Sequence, residues 1–330
     1  MTIPRKAVLG ILADNLQKRG SVLPLPEKVA VKWAEGLNLP VGGETIIYTG
    51  HMYQLIPSIS SMAAQMAKFE NSWITKFMGI GRVMNKVINL SVFMARRDKK
   101  LQAAYDQTLR SIASLLLQSG VEFGYLYGEE LYSGALVFDQ GIDKVLVEHA
   151  RKVQALLERH GVKRVITTDP HTTQMLRHVY PEVLDGFDVE VTSYLELLAE
   201  RAPQAVKKLS GRVVIHDSCV YARYEQVLDQ PRKLLTEAGL KVDEPELSGI
   251  STHCCGGPIE TLFPAQAHVL AQKRVAQLSA VGDQVVAMCP ICLVNLQGAG
   301  GDGGPVCRDI SDVLAESFLT DRQQTKKQQE

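Results

Sequence analysis

The chain has 330 residues, 45% hydrophobic and 22% charged, with 36 basic residues balanced by 36 acidic ones. So even a balance, with a pI near 7.1, leaves no basic footprint for nucleic acid. The length suffices for two domains that each bury a core, and free thiols in a chain whose opening residues, Met1-Thr-Ile-Pro-Arg-Lys, read as no secretory leader argue for a reducing cytoplasm and against a disulfide framework.

Residues 1–43 read as an N-terminal helical lead. From residue 44 onward, short β-rich runs alternate with helical patterns, which predicts parallel sheets in an α/β arrangement. The first run leads into Thr49-Gly50-His51-Met52-Tyr53. An apolar stretch follows at 72–95, where Trp73, Phe77, Ile80, Met84 and Val87 recur at helical spacing. Lys76, Arg82 and Lys86 interrupt it and Gly79 and Gly81 sit inside, so no span reaches the roughly 20 residues of a membrane helix. The stretch predicts a basic amphipathic helix that packs on its own domain or a partner subunit, with a membrane-surface contact as the alternative. Two more polar strand-end segments come next, Tyr125-Leu126-Tyr127-Gly128-Glu129 and Thr168-Asp169-Pro170-His171-Thr172.

In the second half, strands are predicted at Val213–His216, in a segment leading into Thr252-His253, and at Val285–Met288, and each ends where cysteines begin. Ligands of open α/β sheets gather at the carboxyl ends of strands. Helices are expected over Ala222–Ala238, interrupted by Pro231, and over Ala265–Leu278. Five of the six cysteines then form one pattern, C-x34-CC-x33-C-x2-C: Cys219, the pair Cys254-Cys255 followed by Gly256-Gly257-Pro258, and Cys289-Pro290-Ile291-Cys292. Thiolates are soft ligands for zinc, copper(I) or iron–sulfur clusters. Vicinal cysteines on a strand cannot both face one apolar core. A structural zinc site takes four ligands and leaves a fifth thiolate surplus, while a redox CxxC accounts for two of the five. His216 and His253 are candidate hydrogen-bond donors to the sulfurs, and Cys292 is expected at the start of a helix over Leu293–Gln297. Cys307 lies outside the pattern and reads as a buried strand cysteine. Residues 298–303 formally match GxGxxG but open no helix, so they read as a turn. Residues 319–330 are polar and predict a disordered tail.

Cys219, Cys254-Cys255-Gly256 and Cys289-Pro290-Ile291-Cys292 resemble the cysteine-rich CCG domain of the B- and D-type chains of heterodisulfide reductase, found also in iron–sulfur subunits of glycolate oxidase, lactate utilisation and anaerobic glycerol-3-phosphate dehydrogenase systems. The resemblance implies a noncubane [4Fe-4S] cluster on Cys219, Cys254, Cys255, Cys289 and Cys292, carried by tandem Rossmann-like halves. That family usually carries two such motifs, and here the first half repeats the second without its cysteines. Thr49–Tyr53 parallels Asp217–Tyr221, Tyr125–Glu129 parallels His253–Gly257, and Thr168–Thr172 parallels Met288–Cys292, with Leu176 matching Leu296. The first half's ligand positions are then His51, Leu126, Tyr127, Asp169 and Thr172, and neither leucine nor threonine holds iron, so one cluster is expected.

His51, Tyr127, Glu129, Asp169 and His171 would nevertheless gather polar groups in strand-end loops, either for a metal or proton transfer or as locally satisfied remnants. The expected layout is a degenerate CCG-like domain over 44–205 with a helical insertion at about 58–105, then the cluster domain over 206–318. With no CxxCxxCxxxCP run and no flavin or nicotinamide fingerprint, electrons would pass to or from another protein. The resemblance implies an iron–sulfur subunit of a heterodisulfide reductase-like complex, partnered by a ferredoxin-type subunit or a flavoprotein. The alternatives are an electron relay of a flavin-dependent hydroxyacid dehydrogenase and a zinc-stabilised protein without redox role. A cytoplasmic protein, either free or peripheral on the membrane's cytoplasmic face, is expected.

Overall fold

A computed structural model describes residues 5–69 and 98–320. The stretch 72–95 and residues 321–330 lie outside it.

Among the described residues, seven short strands form two all-parallel sheets. The first has the order β1-β2-β3 (Thr45–Tyr48, Arg164–Thr167, Glu190–Ser193) and the second the order β5-β4-β6-β7 (Lys241–Asp243, Arg212–His216, Gln284–Ala287, Val306–Asp309). β1, β2, β4 and β6 carry runs of buried β-branched residues, Ile46-Ile47, Val165-Ile166, Val213-Val214-Ile215 and Val285-Val286. Such runs suit parallel strands covered on both faces by helices.

The two sheets are built alike. Tyr48 pairs with Thr167 and Thr167 with Ser193 in the first, as His216 pairs with Ala287 and Ala287 with Asp309 in the second. The last strand of each ends in a helix N-cap: Ser193 closes a capping box with Glu196 before Tyr194–Arg201, and Asp309 accepts from Ser311 N before Ile310–Phe318. Both caps are also tied to the opposite half. Tyr53 donates to Asp309 Oδ2 at 2.8 Å, and Tyr221 and Ser193 share a 2.7 Å hydrogen bond. Tyr53 and Tyr221 occupy the same repeat position, as do Asp309 and Ser193, so the two bonds are mates across an internal pseudo-twofold.

The halves share one core, beside a second that lies within the first half, from Leu16 through Ile46 and Val165 to Tyr180. One cluster runs from Ile47 and Ile166 through Leu109 and Ile112 of the helix Lys99–Gln118 to Val214, Val286 and Phe318. Thr108 and Ser111 of that helix also donate to the two carboxylate oxygens of Asp312. Helix Lys99–Gln118 is therefore the wedge between the sheets, and it begins at the Asp98 cap, whose side chain accepts from Lys100 N and Leu101 N.

Two local expectations are corrected. No strand leads into Thr252-His253: a tight turn over Gly249–Ser251 stands there, and the strand beside β4 is Lys241–Asp243, further upstream. Gly249 sits at φ +56°, and its N–H is taken by Asp217 Oδ2 rather than by a ladder. The helix after Cys219 breaks at Gln226 (φ +56°) and not at Pro231. A π turn covers Tyr221–Glu225, and Pro231 lies in the first turn of Asp229–Glu237, where its missing N–H costs nothing. The formal GxGxxG divides between the end of the helix Pro290–Gly300 and a short turn over Gly301–Gly303. Cys307 is buried in β7.

Candidate metal centre

Three loops of the second half meet at the carboxyl end of its sheet, and side chains stitch them together before any ligand is considered. Asp217, just past β4, is gripped by Arg232 through two hydrogen bonds of 2.9 and 2.8 Å. Its carbonyl accepts from Thr252 Oγ1 at 3.0 Å, which ties the loop of Cys219 to that of Cys254. Arg223 holds the same segment through the carbonyls of Ile250 and Thr252. Asn295, on the helix Pro290–Gly300, reaches the Cys255 carbonyl at 3.4 Å.

The glycines after the cysteine pair are required by close approach. Gly256 is left-handed at φ +85°, and a Cβ there would stand 2.5 Å from the Ala267 carbonyl oxygen; one on Gly257 would stand 2.3 Å from Ile291 Cγ2. Gly256 also turns its N–H onto Cys254 Sγ at 3.3 Å. Cys289 is the N-cap of Pro290–Gly300 and Cys292 lies in its first turn, so this helix starts earlier than Leu293–Gln297.

The structure brings all five patterned cysteines together. Cys219 and Cys254 sulfurs are 3.8 Å apart. Cys255, next to Cys254 in sequence, packs with Cys289 and Cys292 in one buried cluster, its sulfur within 4.8 Å of that of Cys292. All six cysteines of the protein are free thiols. Hydrogen bonds from Cys219 and Cys255 hold the Cys254 thiol down at about 2. Burial works against ionisation of Cys289, yet the bonds it accepts from Cys292 and His171 hold it well below the ordinary thiol range. Cys219 and Cys255 are pushed up as donors to Cys254, and Cys292 as donor to its own neighbours. Five thiols at such spacing cannot all ionise unless cations share the site, which is the donor chemistry of a thiolate-bound metal centre.

His216 belongs to this cluster. One ring nitrogen of His216 and the sulfurs of Cys255 and Cys292 lie within 4.8 Å of one another. Its Nδ1 accepts from Arg274 Nε at 3.0 Å, so the ring proton sits on Nε2, a buried nitrogen with no hydrogen-bond partner in the protein. Burial first, then Arg274, pushes its pKa down to about 3, which keeps the ring neutral. Arg274 is held in turn by the Leu247 carbonyl and by Gln277. His253 is turned away, with Nδ1 on the Cys254 carbonyl at 3.0 Å.

The polar residues of the first half do not converge. His51 is left-handed at φ +58° and buried, with Nε2 3.5 Å from Glu130 Oε2. Burial, with His149 nearby, pushes His51 down to about 3. Tyr127 donates to the Leu39 carbonyl at 2.7 Å, and Glu129 pairs with Arg159 at the surface. Asp169 caps the helix Pro170–Gln174, its Oδ1 accepting from Thr172 N at 3.0 Å. Asp169 and Thr172 occupy the repeat positions of Cys289 and Cys292, and the carboxylate caps its helix with its side chain where the Cys289 N-cap makes no side-chain cap bond. His171 is buried with Nδ1 3.9 Å from Asp139 Oδ2; burial pulls its pKa down, but Cys289 and the carboxylates of Asp139 and Asp169 outweigh it and push it up to about 9.

Three contributors carry no motif in the sequence. Arg274 lies mid-helix in Pro264–Ser279, where a charge reads as a solvated face. Asp139, at the end of Ala135–Asp139, lies beside His171. Glu130 fills the first half's site, taking hydrogen bonds from Thr49, Gly50 and Tyr125. A carboxylate two residues past a loop glycine is the available sign of Glu130.

Residues 213–297 match the family model described as a CCG cysteine-rich domain, and this stretch of the chain is such a domain. A probable iron-sulfur-binding oxidoreductase FadF of Bacillus subtilis (strain 168) is 31% identical over 225 residues, 63% of this chain and 31% of the relative. An EtfAB:quinone oxidoreductase of Syntrophomonas wolfei is 28% identical over 228 residues, 64% and 32% of the two chains. A component of the fumarate reductase (CoM/CoB) of Methanothermobacter marburgensis is 30% identical over 182 residues, 51% and 36%. The chain spans about a third of the length of the curated relatives it matches. The thiol donor set and these relatives together support an iron–sulfur centre with an electron-transfer role. No described helix is long and apolar enough to cross a membrane.

Proposed function

We propose that Cys219, Cys254, Cys255, Cys289 and Cys292 hold one noncubane [4Fe-4S] cluster, and that the chain is the iron–sulfur component of a heterodisulfide reductase-like redox complex. The observation that carries this reading is the meeting of five free sulfurs from three separated loops, Cys219 3.8 Å from Cys254 and Cys255 packed with Cys289 and Cys292, beside a histidine whose Nε2 lacks a partner. Bound there, such a cluster stores or passes one electron at a time. The chain's own residues set its surroundings: His216 Nε2–H faces the sulfurs, Gly256 N–H caps Cys254, and Arg232 and Arg274 fix the loops. The half-buried Cys219 and Cys254 form the side open to a partner or a disulfide. Because the first half has no thiols at its ligand positions, electrons leave or arrive through another subunit, either ferredoxin-type or flavoprotein, at the cytoplasmic face. The segment 72–95 is the docking element for that partner or for the membrane surface.

Anaerobic purification with iron, sulfide and zinc counts plus EPR tests the reading. About four irons per chain with matching sulfide is the expected result, and one zinc without iron would leave only a structural metal.

A second reading, electron relay from a flavoprotein without disulfide chemistry, is favoured by the relative named as an EtfAB:quinone oxidoreductase. Turnover of an exogenous heterodisulfide by the purified complex separates the two.

Arg274→Met is expected to weaken iron retention by roughly 10–100-fold, the usual cost of losing an outer partner of a metal ligand. The guanidinium fixes the His216 tautomer and holds the Leu247 and Thr252 segment. Competition with an iron chelator measures it.

A further inference from the structure

The inward face of the helix Pro264–Ser279 carries Ala267, Ala271, Arg274 and Leu278, so an arginine stands where the pattern calls for an apolar side chain. Arg274 is 0% exposed. Its hydrogen bonds end on neutral acceptors: His216 Nδ1 at 3.0 Å, the Leu247 carbonyl at 2.8 Å, Gln277 Oε1 at 3.1 Å and Thr252 Oγ1 at 3.4 Å. Two half-buried arginines show the contrast, since Arg177 lies against Glu196 and Glu225, and Arg232 against Asp217 and Glu244. Among the described residues, the guanidinium sunk deepest is thus one that meets no carboxylate. Burying a cation without an anion is strongly unfavourable. A negative charge therefore belongs nearby, and the hydrogen bonds of Arg274 lead toward the thiols. By occupying the Nδ1 lone pair, Arg274 leaves the His216 ring proton on Nε2. That nitrogen is buried and has no partner in the protein, while one ring nitrogen and the sulfurs of Cys255 and Cys292 lie within 4.8 Å of one another. A protonated Nε2 has no lone pair for a metal and can only donate.

We infer that Arg274 is a positioning residue for the redox centre, the fixed counter-cation that keeps His216 a donor rather than a ligand and whose carboxylate-free charge raises the reduction potential. The inference rests on the five cysteines being cluster ligands. A thiolate-held cluster gains a further negative charge on reduction, so a buried cation behind it favours the reduced form, the more so where the dielectric is low. The outward N–H of His216 works in the same direction, since hydrogen bonds to the sulfurs also set cluster potentials.

The test is an EPR-monitored redox titration of the full chain, anaerobically prepared, as wild type, Arg274→Gln and Arg274→Lys, with iron counted in each. Glutamine keeps an N–H and removes the charge; lysine keeps the charge and loses the planar fork. Arg274→Gln should move the reduced-to-oxidised ratio about tenfold toward oxidised at a fixed solution potential, a shift of about 59 mV for a one-electron couple. Arg274→Lys should recover most of that shift. With 15N-histidine labelling, pulsed EPR of the wild type should show only weak nitrogen coupling, and a strong coupling would make a histidine a ligand and overturn the donor assignment. A glutamine variant with full iron and an unchanged potential would overturn the counter-cation, as would a lysine variant shifted as far as glutamine. If glutamine loses the iron, lysine decides: full iron at the wild-type potential supports the charge, and lost iron or a lowered potential makes Arg274 a clamp on its loops and nothing more. Wild-type protein that carries zinc and no iron fails at the reading of the site, before Arg274 is at issue.

Discussion

Cys255→Ser is expected to strip the protein of its iron while the β1–β3 half stays folded. Cys255 links the two groups of sulfurs: it follows Cys254 in sequence and packs with Cys289 and Cys292, its sulfur within 4.8 Å of that of Cys292. It is buried, so neither water nor a surface group can take its place. Serine keeps the shape but offers a hard, protonated oxygen where a soft anion is needed. The loss should exceed the roughly 10–100-fold that follows removal of an outer partner. The fold should survive because the three loops are stitched by Asp217, Thr252, Arg223 and Asn295, none of which touches the Cys255 sulfur. Cys307→Ser is the control: its sulfur faces the Pro305 carbonyl in β7, away from the cluster of thiols, and iron should stay complete. Iron counts and circular dichroism on both variants check the pair. A Cys255→Ser protein with full iron and its original spectrum would remove Cys255 from the ligand set, and the proposed five-cysteine centre with it.

What the sequence discloses here is what local chemistry records. Val213–His216 and Val285–Met288 read as strands because their β-branched runs end abruptly at cysteines, and both lie on inner strands of one parallel sheet. The repeat is legible because strand-end loops keep their punctuation after their ligands go: Asp169-Pro170 and Cys289-Pro290 are both an N-cap followed by proline. The failures are tertiary. The segment before Thr252 turns instead of extending because Asp217 claims the N–H of Gly249 across 32 residues. Arg274 reads as a surface charge, and only the fold shows its guanidinium on His216, 58 residues away in sequence. Tyr53 reads as a core aromatic of its own half, whereas its hydroxyl donates to Asp309 at the end of β7 in the other. No pattern confined to one half carries that information, since the relation exists only once the halves dock.

Glu130 sets the largest stability effect expected in the first half. Where the second half gathers sulfurs, the first is closed by this carboxylate, which is 3% exposed and accepts from Thr49 N, Gly50 N, Thr49 Oγ1 and Tyr125 OH. The loops have shut around it: a Cβ on Gly50 would lie 2.2 Å from Thr172 Oγ1 and 2.9 Å from Ser133 Cβ. Glu130→Leu leaves two buried backbone N–H groups and the Tyr125 hydroxyl without an acceptor, at about 1–3 kcal/mol each, so a loss of about 3–5 kcal/mol is expected by denaturant unfolding. The pH dependence carries a second signature. Burial pushes Glu130 up to about 7, against the pull of its hydrogen bonds. Between about 4.5 and 7 the unfolded chain has released that proton and the native one has not, so this group's contribution to stability falls as pH rises through the window. His51 and His149, held neutral by burial at about 3 and about 4, slope the opposite way below the ordinary histidine range. Glu130's part is therefore isolated as the difference between wild type and Glu130→Gln, in which the glutamine should gain on wild type by about 3 kcal/mol from pH 4.5 to 7.5. Parallel unfolding curves for the two proteins across that range would mean that Glu130 titrates alike in the native and unfolded chains, and that burial does not hold its proton.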